Sequence, residues 1–194
     1  MSTPPTLPDL LREGLDIVFV GINPSVYSAE RGHYFARRSN RFWPCFSRSG
    51  LSLAIRRATG VAVLEPAHDR ILLEYGIGFT DVAKRPTARA SDLTQDELAA
   101  GIDDLVTKLT RYEPRVACFH GVTGYRPLHR LLVPGNTAVN LGLQATMIGS
   151  TRLFVVPNPS PANAHFTPAD QTGWYDALSE YIAAAGHDAL APGG

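Results

Sequence analysis

The chain has 194 residues, and its 18 Lys and Arg residues balance 18 Asp and Glu residues, so the formal net charge is zero. Hydrophobic residues make up 44% of the sequence, which excludes global disorder and is ordinary for a globular fold. A zero net charge argues against a uniformly cationic surface but is compatible with a local basic face. The length allows one sizeable hydrophobic core in a single domain.

The sequence contains no pattern typical of a metal or cofactor site. Its two cysteines, Cys45 and Cys118, have apolar neighbours, as buried thiols do. An iron–sulfur cluster needs more thiolates than these, and neither Cys-x-x-Cys nor His-x-x-x-His spacing occurs. We therefore expect neither a metal nor a cofactor. No secretory signal and no apolar run of membrane-spanning length are apparent, so we expect a cytoplasmic protein with no membrane partner.

The first half of the chain is predicted from short apolar runs and the residues that end them. Residues 1–14 are Pro-rich and polar, which predicts a flexible N-terminal arm. A buried strand follows over 16–20 and stops at a glycine and a proline. A long connection over 25–39 separates it from a helix whose predicted N-cap is Asn40. A second short strand ends in polar residues at Asp81.

The second half carries the clearest helix signal. Thr94 and Glu97 form a capping box, and apolar residues then recur at helical spacing. Strands and helices alternate after it, at about 116–120, 122–132, 138–149, 153–156 and 168–185. This alternation predicts an α/β fold, a three-layer αβα sandwich with a central, mostly parallel sheet. No linker or repeat interrupts it, so we expect a single domain over 15–185 and a disordered tail over 186–194.

Polar residues follow three of the predicted strands. Asn23 follows the first, Asp81 ends the second, and Asn158 follows the last. The carboxyl ends of parallel strands share one edge of a sheet, so we expect these side chains to meet there. Carboxamides pair with the donor–acceptor edge of a planar heterocycle. An aromatic ring such as Tyr34 or Phe35 stacks on the face of that heterocycle. A carboxylate holds a water for attack. The set predicts hydrolysis of a bond between a base and a sugar.

The two most important of these residues also have simpler interpretations. Asn23 precedes Pro24, and Asn-Pro commonly opens a turn. Asp81 precedes a turn that an aspartate could cap. The residues alone leave these alternatives open.

Four stretches of sequence together resemble a known family. They are Gly21-Ile22-Asn23-Pro24, Asn40-Arg41-Phe42-Trp43, Gly78-Phe79-Thr80 with Arg85-Pro86-Thr87, and Asn158-Pro159-Ser160. In this order and spacing they resemble the mismatch-specific uracil-DNA glycosylases and the related thymine-DNA glycosylases, which share the uracil-DNA glycosylase-like fold. The resemblance covers about residues 15–183. It implies a monofunctional repair enzyme that excises uracil from DNA, in G:U mismatches and in other contexts.

The resemblance also implies roles for individual residues. Asn23 would position the hydrolytic water, and Phe35 would stack on a base flipped out of the duplex, since the glycosidic bond is out of reach inside the stack. The base pocket would be lined by Gly21, Ile22, Ser25, Phe35 and Ser160. The loop that enters the minor groove would comprise Asn158, Pro159, Pro161, Ala162 and Asn163. The expected partner is uracil-containing DNA, double-stranded or single-stranded, and the expected state is a monomer.

The sequence departs from the family pattern at three points. Ser25 stands where the family usually has glycine, and its side chain could narrow the pocket. The insertion loop around Ala162 lacks the larger side chain with which relatives wedge into the base stack, which puts strict recognition of an opposite guanine in question. Asp81 stands where relatives tend to have Lys or Asn. We hypothesise that Asp81 shares catalysis with Asn23, as base for the water or stabiliser of the sugar cation, and broadens the activity.

Basic residues are candidates for phosphate contacts, which fix position but carry no sequence information. The candidates are Arg41, Lys84, Arg85 and His165, each of which could also belong to a solvated face. His120 is predicted to be packed or hydrogen-bonded rather than catalytic. Two other functions stay open, a non-catalytic DNA-binding module of the same fold and a hydrolase of free nucleosides. The Pro-rich insertion loop and the arginines disfavour the nucleoside hydrolase, because a nucleoside needs neither.

Overall fold

The computed structural model describes residues 6–135 and 138–188. Within them, one sheet contains the strands β1 (Ile17–Gly21), β2 (Ile77–Asp81), β3 (Val116–His120), β4 (Gly142–Ile148) and β5 (Thr151–Val156). The order across the sheet is β2-β1-β3-β5-β4. Neighbouring strands run parallel except β4, which is antiparallel to β5. The predicted, mostly parallel sheet is confirmed.

The one antiparallel pair follows from the length of its connection. Only Gly149 and Ser150 lie between β4 and β5, and Gly149 has φ +55°, which glycine adopts at little cost. A link this short can only reverse the chain, whereas parallel neighbours need a crossover of a dozen or more residues. The parallel strands of this sheet are accordingly joined through helices.

Helices cover both faces of the sheet, as predicted. They are α1 (Val26–Arg31), α2 (Phe42–Arg48), α3 (Leu53–Thr59), α4 (Gln95–Tyr112), α5 (Val122–Leu132) and α6 (Pro168–Asp188). One buried cluster joins α2, α3 and α6 to the first face, and a second joins α4 and α5 to the other. In β1, Phe19 belongs to the first cluster and Val18 and Val20 to the second. A strand buried on both faces in this way has the continuous apolar run seen in the sequence.

Helix α4 begins where its capping box predicts. Helix α2 begins one residue later than predicted, because its N-cap is Arg41 and not Asn40. Thr94 Oγ1 accepts from the amide of Glu97, and the Glu97 carboxylate accepts from the amide of Thr94, so the capping box is confirmed. The N-cap position of α2 is Arg41, which makes no side-chain cap. Asn40 lies one residue earlier, where its Oδ1 accepts from the amide of Phe42 at 2.9 Å.

The N-terminal segment differs from the predicted flexible arm of residues 1–14, of which the structure describes 6–14. Leu7 and Leu10 are buried in the first cluster, and Leu10 exchanges two backbone hydrogen bonds with Phe79. Asp9 Oδ1 accepts from Lys84 Nζ at 2.8 Å and Thr80 Oγ1 at 2.7 Å, and its Oδ2 lies 2.8 Å from Lys108 Nζ. The sequence did not reveal this packing, because proline interrupts the alternation of apolar and polar residues by which an edge strand is recognised.

The predicted tail over 186–194 lies mostly outside the described residues. Helix α6 continues to Asp188, three residues beyond its predicted end.

Helix α4 crosses very close to the chain that follows β2. A Cβ on Gly101 would overlap the backbone carbonyl of Val82, so only glycine permits this approach. The contact fixes the segment that directly follows Asp81 against α4. Gly173 in α6 provides the contrast, since a Cβ there would meet no atom within 4 Å.

These two glycines give a matched test of the packing. Gly101→Ala is expected to lower the free energy of unfolding by about 1–3 kcal/mol through overpacking, although alanine is intrinsically the better helix former. Gly173→Ala is expected to raise it by up to about 1 kcal/mol. Urea denaturation of both variants measures the difference. A stabilised Gly101→Ala variant would contradict the close approach of α4.

Candidate active site

A cavity of about 360 Å³ opens at the carboxyl edge of the sheet, where ligands bind in open α/β folds. It lies at the ends of β1, β2 and β3 and against the loop that follows β5. Ten of the predicted residues line it: Gly21, Ile22, Asn23, Ser25, Phe35, Asp81, Asn158, Ser160, Pro161 and Ala162. The polar residues that follow three separate strands therefore share one cavity. Pro159 and Asn163 belong to the same loop but not to the lining.

The carboxamide of Asn23 is held in one orientation through its nitrogen. Nδ2 donates to the carbonyl of Arg85 at 2.8 Å and to Thr87 Oγ1 at 2.7 Å. An amide nitrogen carries two hydrogens, so both donors are used. Oδ1 receives no hydrogen bond from the described residues and is available to accept from a water or ligand. The side chain thus spans to the loop after β2, which a purely turn-forming asparagine would not do.

The Asp81 carboxylate lies in space that Gly21 leaves open. The two residues are opposite each other in the β1–β2 register, and a Cβ on Gly21 would overlap Asp81 Oδ1. Asp81 is only 4% exposed, and its Oδ2 has no hydrogen-bond partner among the described residues. A cap for the following turn would accept such a bond. The amides of Val82 and Ala83 donate instead to the carbonyls of Gly21 and Ile22, so the described residues give no support to the turn-capping interpretation of Asp81.

Burial shifts Asp81 toward its protonated form. The pKa of Asp81 is raised to about 7, mainly by desolvation and also by Asp9, while Lys84 and Lys108 oppose the shift. Loss of hydration penalises the charged form most where no donor replaces the water. A carboxyl group with a pKa near neutrality in a cavity is suited to take up or release a proton.

Phe35 occupies the cavity with an unusual backbone conformation. Its φ of +53° lies in the left-handed region, which costs a non-glycine residue about 1–2 kcal/mol. The ring stacks on Phe42 with centroids 4.4 Å apart, and it meets His120 edge-on at 5.1 Å. An aromatic ring held this way at a cavity wall offers a stacking surface to a planar ligand.

Ser25 uses its hydroxyl for helix capping rather than for the cavity. It is the N-cap of α1, accepts from the amide of Ser28 at 3.1 Å and bonds the Ser28 hydroxyl at 3.0 Å. Capping accounts for a serine at this position, where glycine is usual in the resembled family.

The predicted insertion loop is stabilised by hydrogen bonds within itself and from Arg41. Asn158 Oδ1 accepts from the amide of Ser160 at 2.9 Å, and Asn163 Nδ2 donates to the carbonyl of Asn158 at 3.0 Å. The Arg41 guanidinium donates to the carbonyls of Ser160 at 2.9 Å and Asn163 at 2.7 Å, and to that of Phe166. Arg41 therefore braces the loop, and its phosphate contact stays a prediction.

Two further predicted phosphate contacts are paired within the protein. Arg85 forms a two-pronged ion pair with Glu97 and also donates to the carbonyl of Asp92 at 2.8 Å. Lys84 pairs with Asp9 at 2.8 Å. The structure thus uses both cations to hold the segment after β2. His165 is exposed beyond the insertion loop, and its phosphate contact stays a prediction.

The cavity wall also contains residues to which sequence reasoning gave no role there. His120 is 2% exposed, its Nε2 lies 3.0 Å from the Tyr175 hydroxyl, and burial lowers its pKa to about 3, so the ring is neutral. This confirms a packed, hydrogen-bonded histidine. Thr87 fixes Asn23, as its place in the quoted Arg85-Pro86-Thr87 segment could have indicated. The buried Leu7 and the exposed Arg37 also line the cavity, and no local signal pointed to Leu7.

Over residues 6–135 and 138–188, no group of three or more His, Cys, Asp or Glu side chains is placed to hold a metal ion. Among the helices of the same residues, none has the length and apolar character needed to cross a membrane.

The comparisons with known proteins agree with the geometry. The family model of the uracil DNA glycosylase superfamily matches residues 8–179. The chain belongs to the uracil DNA glycosylase superfamily. The solution NMR structure of a proposed uracil DNA glycosylase from Methanosarcina acetivorans is also similar, with a TM-score of 0.54 and 22% identity over 91% of this chain and 98% of that one. At this identity the likeness shows the shared fold.

Membership in this superfamily makes the chain a DNA glycosylase, a hydrolase of DNA repair. The cavity of the glycosylase lies at the sheet edge where its fold places ligands. The narrower resemblance to the mismatch-specific and thymine-specific branches stays a prediction.

The raised pKa of Asp81 predicts how stability depends on pH. The native state retains a proton up to about pH 7, whereas an unfolded aspartate releases it near pH 3.8, so charging the buried group destabilises the fold as pH rises between these values. From pH 5 to pH 8, the wild type is expected to lose on the order of 2 kcal/mol relative to Asp81→Asn, which carries no charge. Urea unfolding of both proteins at each pH measures the difference. If the free energies of unfolding of the two proteins changed in parallel from pH 5 to pH 8, Asp81 would be ionised over that whole range and the raised pKa would be contradicted.

Proposed function

We propose that this glycosylase excises uracil from DNA by hydrolysing the N-glycosidic bond, with Asn23 positioning the water and Asp81 as its base. The observation that carries the proposal is the shared cavity of an oriented carboxamide, a buried carboxylate and the Phe35 ring. No metal or cofactor takes part, and the active unit is a monomer.

The chemical step uses the two side chains on one water. Asn23 Oδ1 accepts a hydrogen bond from the water and orients its oxygen toward C1′ of the deoxyribose. The new C1′–O bond forms, the C1′–N1 bond breaks, and the electron pair leaves with the uracil anion. The proton of the water goes to the Asp81 carboxylate, whose pKa near 7 suits it as an acceptor at neutral pH. The negative charge of Asp81 also stabilises the cation that develops on the sugar.

The proposed enzyme is monofunctional. A glycosylase that forms a Schiff base needs an amine nucleophile in the cavity. Lys84, the nearest lysine in sequence to Asp81, is outside the lining and is paired with Asp9. Hydrolysis by water fits the side chains that are present.

The base reaches this cavity by flipping out of the duplex, because the reacting bond is inaccessible inside the stack. Phe35 then stacks on the uracil. The loop 158–163 enters the minor groove, and its exposed tip residues Pro161 and Ala162 have small or rigid side chains. A tip of this kind fills the vacated space poorly and makes few contacts to the opposite base. We therefore propose uracil excision opposite adenine and from single strands as well as from G:U mismatches.

The two alternative functions are less compatible with the same observations. A binding module would gain nothing from a buried carboxylate without a hydrogen-bond partner, which lowers stability. A hydrolase of free nucleosides would have no use for the braced loop at the cavity mouth. The exposed Arg37 on the cavity rim is positioned for a phosphate of a DNA strand.

Single-turnover excision from uracil-containing oligonucleotides tests the assignment. Uracil is placed opposite guanine, opposite adenine and in a single strand. Asn23→Ala and Asp81→Asn are each expected to slow excision by about 100- to 10,000-fold on all three substrates, because the first removes the group that orients the water and the second the group that takes its proton. Asn140→Ala changes an exposed carboxamide outside the cavity and is expected to match the wild type.

Other outcomes of this assay select other accounts. If Asn23→Ala lost activity while Asp81→Asn excised uracil at the wild-type rate, Asp81 would have no role in the chemical step. Release of uracil from free deoxyuridine at the same rate would favour the nucleoside hydrolase. Binding of each oligonucleotide without excision would favour the non-catalytic module.

A further inference from the structure

The proposed stacking residue Phe35 lies between two amides that are both held by buried side chains. Phe35 has φ +53°, a conformation that a free loop would populate poorly. Its neighbours in the chain are Tyr34 and Ala36, and hydrogen bonds to their amides fix the backbone on either side.

Asp69 holds the side before Phe35. Its Oδ2 accepts from the amide of Tyr34 at 3.0 Å, and its Oδ1 lies 3.1 Å from Nδ1 of His33. Asp69 is 1% exposed, so its carboxylate depends on these partners in place of water. It comes from the segment after α3, far in sequence from the loop and without any role in the proposed chemistry.

Ser28 holds the side after Phe35. Its hydroxyl accepts from the amide of Ala36 at 3.1 Å and is itself bonded by Ser25. Ser28 lies in α1, the helix that Ser25 caps at the cavity. The carbonyl of Tyr34 also accepts from Trp43 Nε1 at 2.9 Å, so the backbone is fixed at three points within three residues.

We propose that Asp69 and Ser28 are positioning residues, which preorganise Phe35 to stack on the flipped base. This inference rests on the proposed function for the role of Phe35. Without the two hydrogen bonds the backbone of Phe35 relaxes from its left-handed conformation, and its ring moves from the cavity wall. Asp69 lies outside the cavity lining, whereas Ser28 reaches it with a hydroxyl already bonded by Ser25 and by the Ala36 amide. Both residues therefore act through Phe35.

A double-mutant cycle separates positioning from general stability. Asp69→Ala and Ser28→Ala are each expected to lower the single-turnover excision rate by about 10- to 100-fold, the cost of a misplaced contact. In a Phe35→Ala background the same changes are expected to alter the rate less than about twofold, because the ring they position is gone. Asp69→Asn retains an acceptor for the Tyr34 amide and is expected to recover most of the rate.

Asp176→Ala provides the matched control. Asp176 also accepts from a backbone amide, that of Gly50 at 2.7 Å, but lies outside the cavity lining. It is expected to excise uracil at the wild-type rate. Equal losses from Asp69→Ala in the wild-type and Phe35→Ala backgrounds would overturn the positioning role.

Amide hydrogen exchange tests the geometry without relying on activity. The Tyr34 amide is expected to lose protection in Asp69→Ala, and the Ala36 amide in Ser28→Ala, while amides of the sheet keep theirs. If the wild type excises no uracil, the proposed function fails, and the exchange result still decides whether these residues fix the loop. Unchanged protection of both amides would overturn the inference in either case.

Discussion

Asp81 and Gly21 face each other across the β1–β2 pair, and the absent Cβ of Gly21 provides the space for the Asp81 carboxylate. Every larger residue at position 21 would displace that carboxylate. The carboxylate is only 4% exposed, and its Oδ2 finds no donor among the described residues, so desolvation raises the pKa of Asp81 to about 7. The fold tolerates this cost because β1 and β2 are buried on both faces and pair with each other along their whole length. Burial of the Asp81 carboxylate thus lowers stability locally, and the rigid sheet around it compensates for this loss.

Three cations fix the loops around the cavity through partners within the protein. Arg41 braces the insertion loop, Arg85 binds Glu97, and Lys84 binds Asp9. Each of these cations would otherwise present a flexible charge to the DNA. Their pairing fixes backbone positions, among them the Arg85 carbonyl that orients Asn23. The arrangement uses charge for preorganisation, and Arg37, which is exposed at the cavity, stays the proposed phosphate contact.

Much of the fold was predictable because its signals are local. The buried runs before Asn23, Asp81 and Asn158 identified the strands, and the rule that parallel strands end on one edge brought the three residues together. The capping box at Thr94 marked the start of α4 for the same reason. The packing of residues 6–14 was not predictable, since it depends on an edge contact with Phe79 in a distant strand.

The fine structure of the site depends on contacts that sequence patterns do not encode. Arg41, Lys84 and Arg85 have the composition of a basic face, and only the folded chain shows that their partners are carbonyls and carboxylates. Asp69 gave no signal at all, because its partners are a backbone amide and a histidine 35 and 36 residues away. Burial of Asp81 likewise depends on Gly21, which the sequence marked as a strand end and, through the resemblance, as a pocket residue, but not as the space for a carboxylate.

The most direct test of the account is the pH dependence of single-turnover uracil excision by the wild type and by Asp81→Asn. With a pKa of Asp81 near 7, the wild-type rate is expected to rise with pH up to about 7 and then level, as the carboxylate becomes charged. The residual rate of Asp81→Asn is expected to show no such rise. A wild-type rate independent of pH between 5 and 8, or the same profile in both proteins, would contradict a catalytic role for the buried carboxylate.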